Sequence, residues 1–528
     1  MSARLRGLPA AEQTLPALLE RQAAAHGARP FVTSTGGETR SYAELREAAA
    51  TWGGMLHAAG IARGDRVATI AGNSLELVEL LLGCAWIGAI AVPLDTALRG
   101  AALAQALAGA GVRALLIETE HLDALARVPP PASLQHVWLL DRERPHRAHG
   151  YLCEPLPALD ERVAAAAVRP GDTFAIFYGA GGGGVCCPHA QLYWWGLLDS
   201  ELLAVDVDEV CFTTLPLFRA ETIASLCTAL VAGASWVCAP RFAPSRYWRL
   251  AAEHGATRAY LPGGMTAALL AQPRSRDDKA HSVALGLAHG AAEGSDESFR
   301  RRYGVALRDG YRSTPTGRVT GVPGDPLRPG TVGRALPEFE LAIVDPDDVQ
   351  LADGEAGELV LRPREPNAIA TGYFRMAEAT ASAWRNLWFH TGQRAVRDPD
   401  GFFKLVEPPA ETINRRGGGN VASDEVERVL AAHPDIVAAA VFAVPSELGG
   451  EDVMATIVLG PGRELDPVDL IEFCRPRLAA GALPRYLEVT RELPLSGEGS
   501  VRRDVLRERG VRAGTWDREH ATKRLARH

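Results

Sequence analysis

The stretch Phe174-Ala175-Ile176-Phe177-Tyr178-Gly179-Ala180-Gly181-Gly182-Gly183-Gly184-Val185-Cys186-Cys187-Pro188-His189-Ala190-Gln191-Leu192 decides how this chain is read. An apolar, strand-like run breaks into glycines before a helix begins. Glycines between a strand and a helix let backbone N–H groups turn inward around an anion, so the first expectation is a phosphate loop. A working phosphate loop also carries hydroxyl side chains for the oxygens and a lysine for their charge. Between Tyr178 and His189 there is no Ser, Thr, Lys or Arg. Three readings stand at this point: a phosphate loop shorn of its side chains, a bare surface connection, and a dinucleotide fingerprint over Gly179, Gly181 and Gly184. Any glycine run satisfies the last, and no clear partner acid follows in a βαβ context.

Outward from this stretch the chain alternates strands and helices. Residues 15–25 have helical apolar spacing and 30–33 are strand-like. Ser41 followed by Glu44 is a capping box, which opens a helix expected to reach about residue 59. Strands are expected at 65–70, 90–94, 114–117, 136–140 and 210–214, with a helix over 75–85. That rhythm predicts an α/β fold with parallel pairing. The proline-bearing segment 127–157 is expected to be an irregular excursion around its strand. Beyond Gly310 short alternating strands at 339–344 and 357–362 predict a small β-barrel portion. A boundary near Glu407-Pro408-Pro409 divides a large N-terminal domain, 1–406, from a small C-terminal α+β domain, 407–528. The latter should hold a helix over 423–433, a strand pair at 436–444 and 452–459, and a helix over 467–478.

With 528 residues the chain exceeds one ordinary core. A formal net charge of −8 without a basic block argues against nucleic acid or an anionic membrane surface as partner. Eight scattered cysteines without metal-ligand spacing fit a reducing, cytoplasmic setting. The N-terminus shows no secretory pattern, and the apolar stretch 80–94 is too short to span a bilayer and contains Gly83, Gly88 and Pro93.

Several blocks resemble the adenylate-forming superfamily of acyl-CoA synthetases and AMP-dependent ligases: Gly330-Thr331-Val332-Gly333-Arg334, Gly354-Glu355-Ala356-Gly357-Glu358-Leu359, Ala370-Thr371-Gly372-Tyr373-Phe374 and Trp388-Phe389-His390-Thr391-Gly392. Asn73-Ser74-Leu75-Glu76-Leu77, the segment from Ala91 to Gly100 and Thr515-Trp516-Asp517-Arg518-Glu519 are similar to carnitine or crotonobetaine CoA-ligase-like members. The resemblance implies ATP, magnesium and coenzyme A as cofactors and a small carboxylic acid as ligand. It also implies which positions should do the chemistry. The family's signature loop, roughly Tyr-Thr-Ser-Gly-Thr-Thr-Gly-x-x-Lys-Gly-Val, is here shortened through Gly181, Gly182 and Gly183. Gly290 and Ala291 keep the small residues that accept the adenine plane. At Gly310-Tyr311-Arg312-Ser313-Thr314-Pro315 the pattern is Gly-Tyr-Gly-x-Thr-Glu, so Tyr311 and Thr314 remain while Pro315 stands where a carboxylate holds magnesium.

Gln393 stands where an Asp grips the ribose hydroxyls, and a neutral amide lacks the charge-assisted pair. At the hinge Glu407 keeps a charge, but Pro408 replaces an Arg, and two prolines fix φ where the small domain should rotate. Ser500 occupies the place of the lysine that bridges carboxylate and phosphate. These losses are far apart in sequence while the structural blocks between them survive. The implied outcome is a chain that folds as a ligase but no longer adenylates.

For a substrate pocket the candidates are His189, Trp194, Phe218, Arg219 and Gly264. His189 also reads as a buried structural histidine at a helix start, and Tyr193-Trp194-Trp195 as core aromatics. Arg219 stands where the family usually has His beside the acyl site, either to hold a small anion or as an exposed charge. Two functional classes follow. One is an ATP-independent enzyme acting on a carboxylic acid, aromatic acids included, or on an already activated substrate, with a pocket near Arg219, Tyr311 and His189. The other is a non-catalytic pseudo-ligase, as homodimer or partner of an active ligase. Ordinary ATP-dependent acyl or aryl-CoA ligation with substitute residues is a third.

Overall fold

The structure is a computed structural model that describes residues 3–142, 144–178, 183–289, 294–322, 328–407, 412–414, 420–446, 451–460, 462–494 and 501–520. Two sheets dominate the large N-terminal region. One runs, among the described residues, in the order Ala306–Arg308, Leu285–Leu287, Arg258–Tyr260, Val210–Thr213, Ser235–Cys238, Pro30–Ser34, Thr39–Ser41. It is parallel except for the last pair. The other runs Gly372–Tyr373, Gly184–Pro188, Thr173–Tyr178, Ile90–Pro93, Arg66–Ile70, Ala114–Ile117, His136–Leu139, Tyr151–Pro155, His146–Ala148. Its centre is parallel and its edges antiparallel.

The helices of this region are set by their residues. Ser41 accepts the Glu44 N–H while Glu44 reaches back to the Ser41 N–H, so the expected capping box opens the helix Tyr42–Ala58. Leu75–Ile87 is buried at every position but Glu76, and His189–Leu202 at every position but Glu201. Ala220–Ala232 is buried except at Glu221 and Ala232. Helices apolar all round belong in a core, and one continuous cluster joins their side chains to those of both sheets. Asn73 then ties the sheets together. Its Nδ2 donates to the carbonyls of Leu215 and Ala239 at 2.9 and 2.8 Å, and its Oδ1 accepts the Leu217 N–H at 2.7 Å.

Two expectations change. The segment 127–157 holds the hairpin His146–Ala148/Tyr151–Pro155, which extends the second sheet beyond His136–Leu139. The glycine run does not open a helix. Its described flanks are antiparallel partners, Gly184 opposite Tyr178 and Cys187 opposite Ala175, so it connects a hairpin, and the helix starts only at His189. Strand then helix is the geometry a dinucleotide fingerprint requires, so that reading falls.

Where the sequence predicts a small β-barrel, Phe339–Val344, Ala356–Pro363, Phe389–Arg397 and Phe403–Glu407 form an open antiparallel sheet, with no pairing of its first and last strands among the described residues. The ladder Thr320–Gly321/Arg334–Ala335 joins it through a bridge between Arg334 and Phe402. In the C-terminal part, Ile436–Pro445, Glu451–Leu459, Tyr486–Thr490 and Trp516–Asp517 form a sheet with its own apolar clusters. Ser423–Ala431 and Pro467–Cys474 are helical; the second is shorter than the sequence predicts. Among the described residues no helix is long and apolar enough to cross a membrane.

The central helices meet at a glycine. A Cβ on Gly196 would lie 2.5 Å from the Cys227 carbonyl oxygen and 3.0 Å from Val231 Cγ2, so His189–Leu202 and Ala220–Ala232 pack at a distance that excludes a side chain. Gly196→Val is expected to destabilise the large region by about 1–3 kcal/mol through overpacking, seen as a lower midpoint in thermal unfolding.

Candidate functional site

The candidate site lies at the carboxyl ends of the first sheet's parallel strands, where α/β folds place ligands. Phe218 and Arg219 follow Val210–Thr213, Gly264 follows Arg258–Tyr260, His289 follows Leu285–Leu287, and Asp309 to Thr314 follow Ala306–Arg308. Phe218 and Gly264 are half-buried.

Tyr311 is 7% exposed, and its N–H donates to Thr320 Oγ1 at 2.7 Å. Burial pushes its phenol up to about 12, against hydrogen bonds with Thr391 and Ser313. Thr391 Oγ1 in turn accepts the Gln393 N–H at 3.0 Å. The two sequence segments expected at a nucleotide, Tyr311 to Pro315 and His390 to Gln393, are thus joined. Gln393 is buried, and its Nε2 lies 3.4 Å from its neighbour's carbonyl, that of Arg394. The fully buried Gln191 spends its amide N–H groups on the carbonyls of Thr314 and Pro315, at 3.1 and 2.9 Å. The Ala370 N–H donates to the Pro315 carbonyl as well, at 2.8 Å. Pro315 thus supplies a carbonyl already occupied and no carboxylate. Magnesium beside a triphosphate is held by carboxylate and phosphate oxygens, and Pro315 offers it no carboxylate; Gln393, at the ribose position, offers a neutral amide.

Gly183 packs towards Met376 and Tyr373, and a Cβ on Gly184 would sit 2.5 Å from Ile176 Cγ2, so Gly184 is required by the hairpin itself. Gly181, Gly182, Gly290, Ala291, Pro408 and Ser500 lie outside the described residues. Glu407 ends the strand Phe403–Glu407, paired with Arg394.

Sequence reasoning missed a charged interior next to Tyr311. Arg318 and Asp199 are each 1% exposed, and Arg318 Nε donates to Asp199 Oδ1 at 2.6 Å. Arg312, 6% exposed, brings Nη1 to 3.6 Å from Asp199 Oδ2. Arg219 is not an exposed charge: its Nε and Nη2 face the Glu221 carboxylate at 3.3 and 3.4 Å. Burial alone would raise the Glu221 pKa, but Arg219 and Arg312 outweigh it and lower it to about 2. The signal for this cluster was Arg312 in a place where the superfamily pattern has glycine; Asp199 and Arg318 carried none.

His189 and Trp194 are elsewhere. His189 Nδ1 accepts the Leu15 N–H at 3.3 Å, the His189 backbone N–H donates to the Asp172 carbonyl, and the imidazole ring lies 5.7 Å from that of Phe174. Asp172 precedes Thr173–Tyr178, so His189 is at the opposite end of that strand from Tyr178, about 17 Å away at about 3.3 Å per residue. Asp199, which Arg312 faces, is ten residues further along the same helix, about 15 Å from His189 at about 1.5 Å per residue. Trp194 is buried edge-on against Tyr193 as core.

Residues 19–374 match the AMP-binding enzyme family, and 425–500 the AMP-binding enzyme C-terminal domain. The chain belongs to the AMP-binding enzymes, the adenylate-forming ligases. It is 29% identical over 479 residues to crotonobetaine/carnitine--CoA ligase of Salmonella paratyphi A, covering 87% of this chain and 92% of the relative. The amide bond synthetase McbA from Marinactinospora thermotolerans superposes with a TM-score of 0.81 at 26% identity, over 93% of this chain and 99% of that one. The o-succinylbenzoate CoA synthetase MenE from Bacillus subtilis shares the fold, with a TM-score of 0.79 at 22% identity over 93% and 98%.

His189 gives a pH prediction. Burial lowers its pKa from the ordinary 6.5 to about 4, so its neutral form stabilises the fold fully above pH 6.5, and that contribution is lost as pH falls towards 4. Across this window the His189 share of stability should fall by up to about 1.4 kcal/mol per pH unit. Denaturant unfolding of wild type and His189→Gln between pH 7 and 4.5 should show a shallower acid loss in the variant.

Proposed function

We propose that this chain binds a small carboxylic acid, with an aromatic acid as the leading class, or an acyl group activated elsewhere, and does so without making an acyl-adenylate. The observation that carries this reading is Pro315, whose carbonyl is engaged by Gln191 and Ala370 where the family pattern has the magnesium carboxylate. Gln393 in the ribose position and Ser500 in the lysine position support it. Removing one transition-state contact costs on the order of 10²–10³ in rate, and several such contacts are replaced together. Carboxylic-acid chemistry is in keeping with relatives that include a CoA ligase and an amide bond synthetase. In this reading the chain divides at 406/407 into a ligand-binding part and a lid, acts in the cytoplasm, and requires neither ATP–Mg²⁺ nor coenzyme A.

One observation favours a second reading, a non-catalytic partner of an active ligase. Leu387, which ends the 3-10 turn Arg385–Leu387, and Val349 are 84% and 60% exposed on segments linked by the Arg385–Asp348 ion pair, apolar surface available to another protein or to a second copy of the chain.

ATP–pyrophosphate exchange with a panel of carboxylic acids, beside calorimetric titration of ATP–Mg²⁺, tests the first reading. No exchange above background and no nucleotide binding are expected. Exchange at an ordinary ligase rate overturns it in favour of an active acyl or aryl-CoA ligase with substitute residues.

A further inference from the structure

The C-terminal part contains a cavity of about 390 Å³ that the candidate site does not use. It lies on the face of the sheet covered by the helices Ser423–Ala431 and Pro467–Cys474. In the sheet Leu487 stands opposite Trp516 and Ile457 opposite Val489, so these four side chains share that face and line the cavity. Leu465, Pro467 and Leu470 line it from the helix side. Glu488 alternates to the other face, where its carboxylate accepts the Thr456 hydroxyl at 3.3 Å. A turn from Arg512 to Thr515 forms one wall: the Arg512 N–H donates to Thr515 Oγ1 and the Thr515 N–H to the Arg512 carbonyl, both at 3.1 Å, with Gly514 at a φ of +98°. Trp516–Asp517 pairs only with Tyr486 and Leu487, so the strand edge from Glu488 to Thr490 is left open beyond it among the described residues. Val489 on that edge is accordingly 54% exposed, and the exposed Val468 and Val511 adjoin lining residues in sequence.

We propose that this crevice binds a small amphiphile, an apolar chain ending in a single anionic head, on a different sheet from the candidate site. Its volume falls within the about 300–1,000 Å³ of small-molecule sites, and its lining is apolar with few polar groups, as such sites are. The apolar chain lies against Ile457, Leu487, Val489 and Trp516. Charge decides the head. The Arg512 guanidinium in the wall is exposed and makes no hydrogen bond or ion pair among the described residues, while the Glu488 carboxylate is turned away. A guanidinium left open at the rim of an apolar crevice favours an anion there. The chain's own residues 521–528 carry Lys523, Arg524 and Arg527, so they do not supply that counter-charge.

The test is calorimetric titration of the full chain with octanesulfonate, which is not a carboxylic acid and so does not report on the candidate site. Octanesulfonate should bind about tenfold or more tightly than ethanesulfonate, which lacks the chain, and about threefold or more tightly than octanol, which lacks the charge. Val489→Glu, at an exposed position, should weaken binding about tenfold and Arg512→Gln about threefold, both with melting temperatures near wild type, and Arg512→Lys should regain part of the loss. The ligand should also shift tryptophan emission, and Trp516→Phe should remove that shift while calorimetry still shows binding. No binding, equal binding of ethanesulfonate or octanol, unchanged affinity in Val489→Glu and Arg512→Gln, or an emission shift that survives Trp516→Phe overturns the assignment. Three other occupants are read separately, and each overturns it as well. Sedimentation of the chain with phosphatidylglycerol vesicles, abolished by Val489→Glu, makes the face a membrane surface. A chain ending at His520 that binds octanesulfonate more tightly than the full chain gives the crevice to residues 521–528. A dimer that octanesulfonate dissociates gives it to a second copy.

Discussion

The Asp199 carboxylate, closed off from solvent on the helix His189–Leu202, is the point on which the interior of the large region depends. It faces Arg318 and Arg312, which stand opposite each other on the short hairpin Arg312–Ser313/Gly317–Arg318. A buried ion pair contributes little net stability, but breaking it leaves uncompensated charge, which is strongly destabilising. The hairpin is therefore held against the helix by a penalty for leaving as well as by packing. Gly317 completes the contact. It has φ near +65°, and a Cβ there would meet Trp195 Nε1 at 2.2 Å, so hairpin and helix approach as closely as backbone allows.

From that contact the rest of the candidate site follows. Gln191, on the same helix, reaches the carbonyls of Thr314 and Pro315 at the turn of the hairpin. Tyr311, at its start, reaches Thr391 on the strand Phe389–Arg397. Asn73 draws the carboxyl ends of the two sheets together. Gln191, Thr314 and Pro315 are thereby engaged with one another, and Tyr311 with Thr391. The fold is that of the AMP-binding enzymes, and two guanidiniums are buried against its central helix.

Much of the fold was legible because local chemistry and tertiary structure agree. Ser41 and Glu44 form the capping box their spacing predicts, and the apolar runs at 66–70, 90–93 and 114–117 are neighbouring parallel strands. The hairpin around the glycine run was not legible. Val185 to Cys187 is too short and too uniformly apolar to show a period, so strand and helix could not be told apart there. His189 was legible as a buried histidine at a helix start, but its partner, the Leu15 N–H, lies 174 residues away. The charged interior was hidden for the same reason: Asp199 and Arg318 are 119 residues apart, and neither belongs to a motif. Arg312 was in plain view as a departure from the family pattern, yet only its burial beside Asp199 gives the substitution a meaning.

The central claim is that this chain binds a carboxylic acid without passing through an acyl-adenylate. Equilibrium dialysis of a radiolabelled carboxylic acid, with and without ATP–Mg²⁺, tests it most directly when the nucleotide products are analysed in the same samples. The account predicts the same bound fraction in both chambers and no AMP. Retention of the acid that depends on nucleotide, with AMP or pyrophosphate appearing in step, would contradict it.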